Sequence, residues 1–171
     1  MTSDITIEKV MNSNFNDFIY LVERLAEYER LQPPDEDARE RLRRHGLSEN
    51  PRYEAYMARV DGQYVAYVIY FFNYSSFLAM PTLYLEDIFV LEEHRRKGIG
   101  SRLFKFCAEQ ALDAGCGRIE FCVLTWNTPA QGFYEKNMAE KLNWYFYRLD
   151  RDRLEEVRRR TGDTVPREDI E

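Results

Sequence analysis

The chain has 171 residues, of which 44% are hydrophobic and 15% aromatic; that is enough to bury one substantial core and too much for a disordered chain. Its 30 acidic residues outweigh 24 basic ones, for a formal charge of -6, which argues against nucleic-acid binding, where a basic face is the rule. The three cysteines, Cys107, Cys116 and Cys122, lack paired spacing, and His45 and His94 stand far apart without cysteine neighbours, so neither a disulfide framework nor a metal site is expected.

No stretch reaches the ~18 apolar residues that span a membrane, and the first residues lack the basic-then-apolar pattern of a signal peptide. A cytoplasmic protein without membrane or nucleic-acid partners is expected. It reads as a single domain, 1–171, with about ten frayed residues at the end.

In chain order, Ile5 to Val10 alternates apolar and polar residues and predicts a strand. Asn16 to Leu31 spaces Phe18, Leu21, Val22, Leu25 and Tyr28 as one face of a helix, which Pro33-Pro34 stops. Asp35 can cap a second, charged helix running towards Gly46, its Arg39 to Arg44 run expected as a solvated face. Glu54 to Val60 and Tyr64 to Phe72 flank Asp61-Gly62, which predicts a tight hairpin. Thr82 to Leu91 is the next strand.

A basic, glycine-containing loop then leads into a helix carrying Leu103, Phe106, Cys107 and Ala111, ended by Gly115 and Gly117. Arg118 to Thr125 predicts a strand that buries Cys122. Pro129 to Lys136 is a short helix started by Asn127 or Thr128. Trp144 to Leu149 is the last expected strand, followed by the charged segment Asp152 to Arg160. A leading antiparallel group followed by strand–helix–strand units points to an α/β (α+β) fold, a mixed sheet with helices on both faces.

The chemistry concentrates in His94-Arg95-Arg96-Lys97-Gly98-Ile99-Gly100-Ser101. Glycines let the backbone approach a ligand closely, the following helix offers free N–H groups and the positive end of its dipole, and three cationic side chains add charge. Such a loop holds an anion. It is not a P-loop, because Lys97 precedes Gly98, and a dinucleotide fingerprint would need glycine where Leu103 stands.

The spacing of Arg95, Gly98 and Gly100 instead resembles the pyrophosphate loop of the GCN5-related N-acetyltransferase (GNAT) superfamily. Downstream, Asn127, Ala130, Phe133 and Tyr134 are similar to that superfamily's Asn-x-x-Ala-x-x-Phe-Tyr signature. Upstream, Leu83-Tyr84-Leu85-Glu86-Asp87-Ile88-Phe89-Val90 resembles a strand of the spermidine/spermine (diamine) acetyltransferases. Leu25 to Glu29 and Gly46 to Tyr53 carry the likeness further, so that it runs from Ile5 to Leu154.

The resemblance implies a central, mostly antiparallel twisted sheet and acetyl transfer from acetyl-CoA to a primary amine of a small cationic substrate, a polyamine or a lysine-like amino acid, with no metal. It implies that Glu86 is the general base and Tyr134 the acid for the departing thiolate. Chemistry agrees with both roles: an alkylammonium of pKa ~10.4 must lose a proton to attack, and a phenol of pKa ~10 stays protonated at neutral pH. Backbone groups of Ile88, Phe89 and Val90 would hold the pantetheine arm. Residues Arg95 to Ser101 would hold the phosphates, helped by Asn127, Ala130 and Phe133. Tyr28, Glu29, Glu86 and Glu120 would line the amine pocket.

Strict strand alternation puts Glu86 and Asp87 on opposite faces; superfamily members often carry a bulge here, so the place of Asp87 stays open. The group usually has glycine where Met138 stands, the loop from Ala139 to Trp144 is shorter than in the group, and one of the group's acidic polyamine ligands has no clear equivalent, so the amine stays open too. Protein or peptide N-acetylation and a non-catalytic acetyl-CoA-binding module are the alternatives. The resemblance implies a homodimer, and the aromatic run Trp144 to Tyr147 fits either an interface strand or core packing.

Overall fold

The computed structural model describes residues 4–160. Asp61 and Gly62 both adopt positive φ, 48° and 84°, the backbone a two-residue hairpin requires. They join β2 (Glu54–Val60) antiparallel to β3 (Gln63–Ser75). β3 continues antiparallel into β4 (Met80–Val90). β1 (Ile5–Lys9) pairs antiparallel with β2, and β5 (Arg118–Glu120) runs parallel to β4. The sheet order β1-β2-β3-β4-β5 is mixed and mostly antiparallel, as expected.

Alternation along β3 explains how helices cover both faces. Tyr67 and Tyr70 are three residues apart and so point oppositely. On one face, α1 (Phe15–Glu29) buries Phe15, Phe18, Ile19, Leu21 and Ala26, with Phe18 edge-on to Tyr67 at 5.6 Å. On the other, α3 (Ile99–Asp113) buries Ile99, Leu103, Cys107 and Ala111, and Gln110 accepts the Tyr70 hydroxyl at 3.1 Å. Each fully buried large apolar side chain contributes roughly 1.5–3 kcal/mol to holding these layers.

Asp35 caps α2 (Glu36–Gly46) by accepting the Ala38 N–H at 2.8 Å. The basic face of α2 is only partly solvated, contrary to expectation. Arg39 pairs with Glu23 at 2.7 Å and the Arg43 guanidinium lies 4.6 Å from the centre of the Phe15 ring, because long cationic side chains can pack their stems and planes on apolar neighbours.

Two expected strands are corrected. Arg118 to Thr125 pairs only over Arg118–Glu120, and Cys122 beyond it is exposed rather than buried. Trp144 to Leu149 forms no strand, and Trp144 and Tyr145 are 78% and 87% exposed. β propensity needs a partner to become a strand, and no described strand pairs with this segment, so its backbone groups are left to water.

The chain divides into two compact units, Met1–Gln131 and Gly132–Glu171. The first holds the sheet, α1 to α3 and the start of α4 (Thr128–Lys136); the second holds the rest of α4 and α5 (Arg151–Arg159). The expected frayed end lies outside the described residues. No described helix is long and apolar enough to cross a membrane.

Candidate active site

The register of β4 against β3 breaks at one place. Val68 opposes Ile88 and Ile69 opposes Asp87, but Tyr70 opposes Leu85. Glu86 is therefore the extra residue of a β-bulge, and the bulge frees it from strict alternation.

Glu86 is exposed, whereas Asp87 is half-buried and accepts the hydroxyl of the fully buried Tyr67 at 3.1 Å. Burial pushes the Asp87 carboxyl up to about 6; the Tyr67 bond opposes the rise, and the charges of Glu86 and Glu29 add to it. Burial likewise raises Glu29 at the end of α1. Tyr67 is held well above its ordinary range by burial, then by Asp87, Glu29 and Glu86.

A second set meets the same bulge. Tyr84 on β4 opposes Glu120 on β5, which pairs with Arg118 at 3.1 Å. Burial raises the Tyr84 phenol, followed by its bond to Cys122 at 3.4 Å and by the charges of Glu86 and Glu120. The charge of Glu86 thus acts on both sets. The resemblance implies Glu29, Glu86 and Glu120 as site residues, leaves Asp87 open and does not point to Tyr67 or Tyr84. Tyr67 carries no sequence signal beyond that of a core aromatic, because its partner is set by strand pairing. Among the described residues no group of histidine, cysteine or acidic side chains could hold a metal ion.

Gly98 caps α3 at φ 83°, and Arg96 before it also has positive φ, 60°. A side chain at Gly98 would meet nothing within 4 Å, so the space beside this backbone is open. The N–H of Arg102 bonds to Gly98 O at 3.0 Å; the N–H groups ahead of it in the first turn have no helical acceptor. Arg96, Lys97 and Ser101 are exposed and Gly100 half-exposed, while the Ile99 side chain is buried and offers only its N–H.

Arg95 behaves differently from its neighbours. Its Nε donates to Val90 O at 3.0 Å, and its guanidinium lies 4.6 Å from the Tyr28 ring centre and 5.6 Å from that of Phe89. The Phe89 ring is buried, with Ile88 and Val90 half-buried beside it.

Asn127 precedes α4 and caps it: its Oδ1 accepts the Ala130 N–H at 3.3 Å and also the Tyr28 hydroxyl at 3.2 Å. Phe133 and Tyr134 follow on α4, half-buried, their ring centres 5.2 Å apart. The first-turn N–H groups of α3, the exposed cations and the open space at Gly98 make a surplus of donors over acceptors, which fits an anionic, acceptor-rich group such as the phosphates and amides of acetyl-CoA.

Comparison with known proteins agrees. Residues 18–139 match the model of the acetyltransferase (GNAT) family. The chain is 32% identical over 165 residues to a thialysine N-epsilon-acetyltransferase of Bos taurus, covering 90% of this chain and 96% of the relative. An L-ornithine N5-acetyltransferase of Arabidopsis thaliana is 44% identical over 92 residues, covering 53% of this chain and 40% of the relative. An integron cassette protein from the mobile metagenome of V. cholerae shares the fold, with a TM-score of 0.76 at 22% identity over 92% of this chain and 98% of that one.

Proposed function

Since the chain belongs to the acetyltransferase (GNAT) family and is an acetyl-CoA-dependent N-acetyltransferase, we propose that its substrate is a small amine carrying at least one further charged group, of the thialysine, ornithine or polyamine kind. The observation that supports this most is the acidic character about the β4 bulge, where the charges of Glu86 and of Glu29 at the end of α1 both act on Asp87. Carboxylates gathered this way attract an ammonium and orient it.

In the proposed reaction the substrate ammonium first gives a proton to Glu86, directly or through water. The freed amine nitrogen bonds to the acetyl carbon as the carbon–sulfur bond breaks; Tyr134 protonates the thiolate, and the second proton lost by the nitrogen passes through water to restore the phenol. Proximity supplies much of the acceleration once both reactants are bound. Arg96, Lys97 and the N–H groups from Gly98 to Ser101 would hold the phosphates. Backbone groups of Ile88 to Val90, with Asn127, Ala130 and Phe133, would hold the arm.

The reading extends to a cytoplasmic homodimer. Free thiols at Cys107, Cys116 and Cys122 support a reducing setting, and the exposed aromatics from Trp144 to Tyr147 support an interface.

Glu29→Gln tests the substrate assignment, because it removes one carboxylate while keeping the shape of α1. The amine KM is expected to rise about tenfold, the effect of losing one charge-assisted contact, with acetyl-CoA affinity unchanged. An unaltered amine KM in steady-state assays would remove Glu29 from the pocket.

A further inference from the structure

The hydroxyl and ring of Tyr28 touch the anion-loop side of the site at two separate places. Its hydroxyl donates to Asn127 Oδ1 at 3.2 Å, and its ring lies under the Arg95 guanidinium at 4.6 Å. Phe89 and Trp126 pack around the same ring, with centre distances of 6.4 and 5.8 Å. Two segments distant in sequence, Phe89 to Arg95 and Trp126 to Asn127, thus meet on one side chain at the end of α1.

What these contacts leave over is informative. A side-chain amide has an acceptor end and a donor end. Two donors, the Tyr28 hydroxyl and the Ala130 N–H, occupy the oxygen of Asn127, so the amide cannot rotate its oxygen away without losing both bonds. Its Nδ2 has no hydrogen-bond partner among the described residues. Arg95 is treated alike: its Nε is spent on Val90 O at 3.0 Å while Tyr28 and Phe89 support its plane, and no acceptor among the described residues takes its terminal nitrogens. Each polar group is tied at one end and left with donors at the other.

We infer that Tyr28 is a positioning residue for the acetyl-CoA side of the site, fixing the amide of Asn127 and the guanidinium of Arg95 so that their donors meet an acceptor-rich ligand. This rests on the acetyl-CoA reading above and reassigns Tyr28, which the sequence placed in the amine pocket. Glu29, the next residue, keeps its carboxylate for the amine. The last turn of α1 therefore serves the two substrates through two different side chains.

The test is acetyl-CoA titration by calorimetry on wild type, Tyr28→Phe, Asn127→Ala and the double variant. Phenylalanine keeps the ring and removes only the hydroxyl. Tyr28→Phe is expected to weaken acetyl-CoA about five- to tenfold, the worth of one hydrogen bond that orients another, with amine KM at saturating acetyl-CoA within twofold of wild type. In the Asn127→Ala background the same change should cost nothing further, because its route of action is gone. Asn127→Asp, which keeps an acceptor for Tyr28 and Ala130 but removes the Nδ2 donors, should lose affinity without a change in melting temperature. A raised amine KM with unchanged acetyl-CoA affinity in Tyr28→Phe would overturn the inference, as would full additivity with Asn127→Ala. Wild type that binds no acetyl-CoA would instead sink the acetyltransferase reading itself.

Discussion

Glu86→Gln is expected to lower kcat/KM for the amine at pH 7 by roughly 10²–10⁴-fold, the usual worth of a positioned proton acceptor. An alkylammonium of pKa ~10.4 is neutral in only about one molecule in a few thousand at pH 7, so a variant that cannot take the proton depends on that small fraction. Glutamine keeps the length of the side chain and sits at a bulge with no backbone partner on β3, so the sheet should tolerate it. Acetyl-CoA affinity should be unchanged. The deficit should also shrink as pH rises towards 10, because the substrate then arrives deprotonated. A loss below about threefold at pH 7 would move the role away from Glu86, and the neighbouring Asp87 would be the first to examine.

Asp87→Asn should raise stability above neutral pH and change little in acid. Burial lifts the folded carboxyl from its ordinary 3.8 to about 6, so between these values the folded state binds more protons than the unfolded one. Stability contributed by this group is then fully present below 3.8 and is lost as pH rises through about 6. Asparagine never ionises and keeps an oxygen for the Tyr67 hydroxyl. The variant should therefore exceed wild type by about 2–3 kcal/mol at pH 8, about 1.4 kcal/mol per pKa unit, and converge with it near pH 4. Urea melts at the two pH values measure this. Equal stabilities at pH 8 would mean that Asp87 is ionised in the fold without cost.

Much of the fold was legible because its signals are local. The Asp61-Gly62 turn, the Asp35 cap and the Leu103-Cys107-Ala111 stripe each depend on residues a few positions apart. The bulge was foreseen only through resemblance, since nothing in Glu86-Asp87 itself shows that Tyr70 will skip to Leu85. The errors share a cause. Trp144 to Leu149 and the residues after Glu120 have strand composition, yet composition says nothing about whether a partner edge is available. Nor could the sequence show that Val90, Tyr28 and Phe89 would hold Arg95 while its neighbour Arg96 stays exposed. It could not show the bond of Tyr28 to a residue 99 positions away either.

The most direct test of the central claim is release of free CoA thiol from acetyl-CoA by the purified protein, with thialysine, ornithine, spermidine, spermine, putrescine, lysine and a lysine peptide supplied one at a time. Turnover is predicted with one or more of the free charged amines, exceeding the peptide by at least about tenfold, the discrimination that one well-made charged contact provides. Thiol release that is equal with the peptide, or absent with every amine while acetyl-CoA still binds, would contradict a small cationic amine as the substrate.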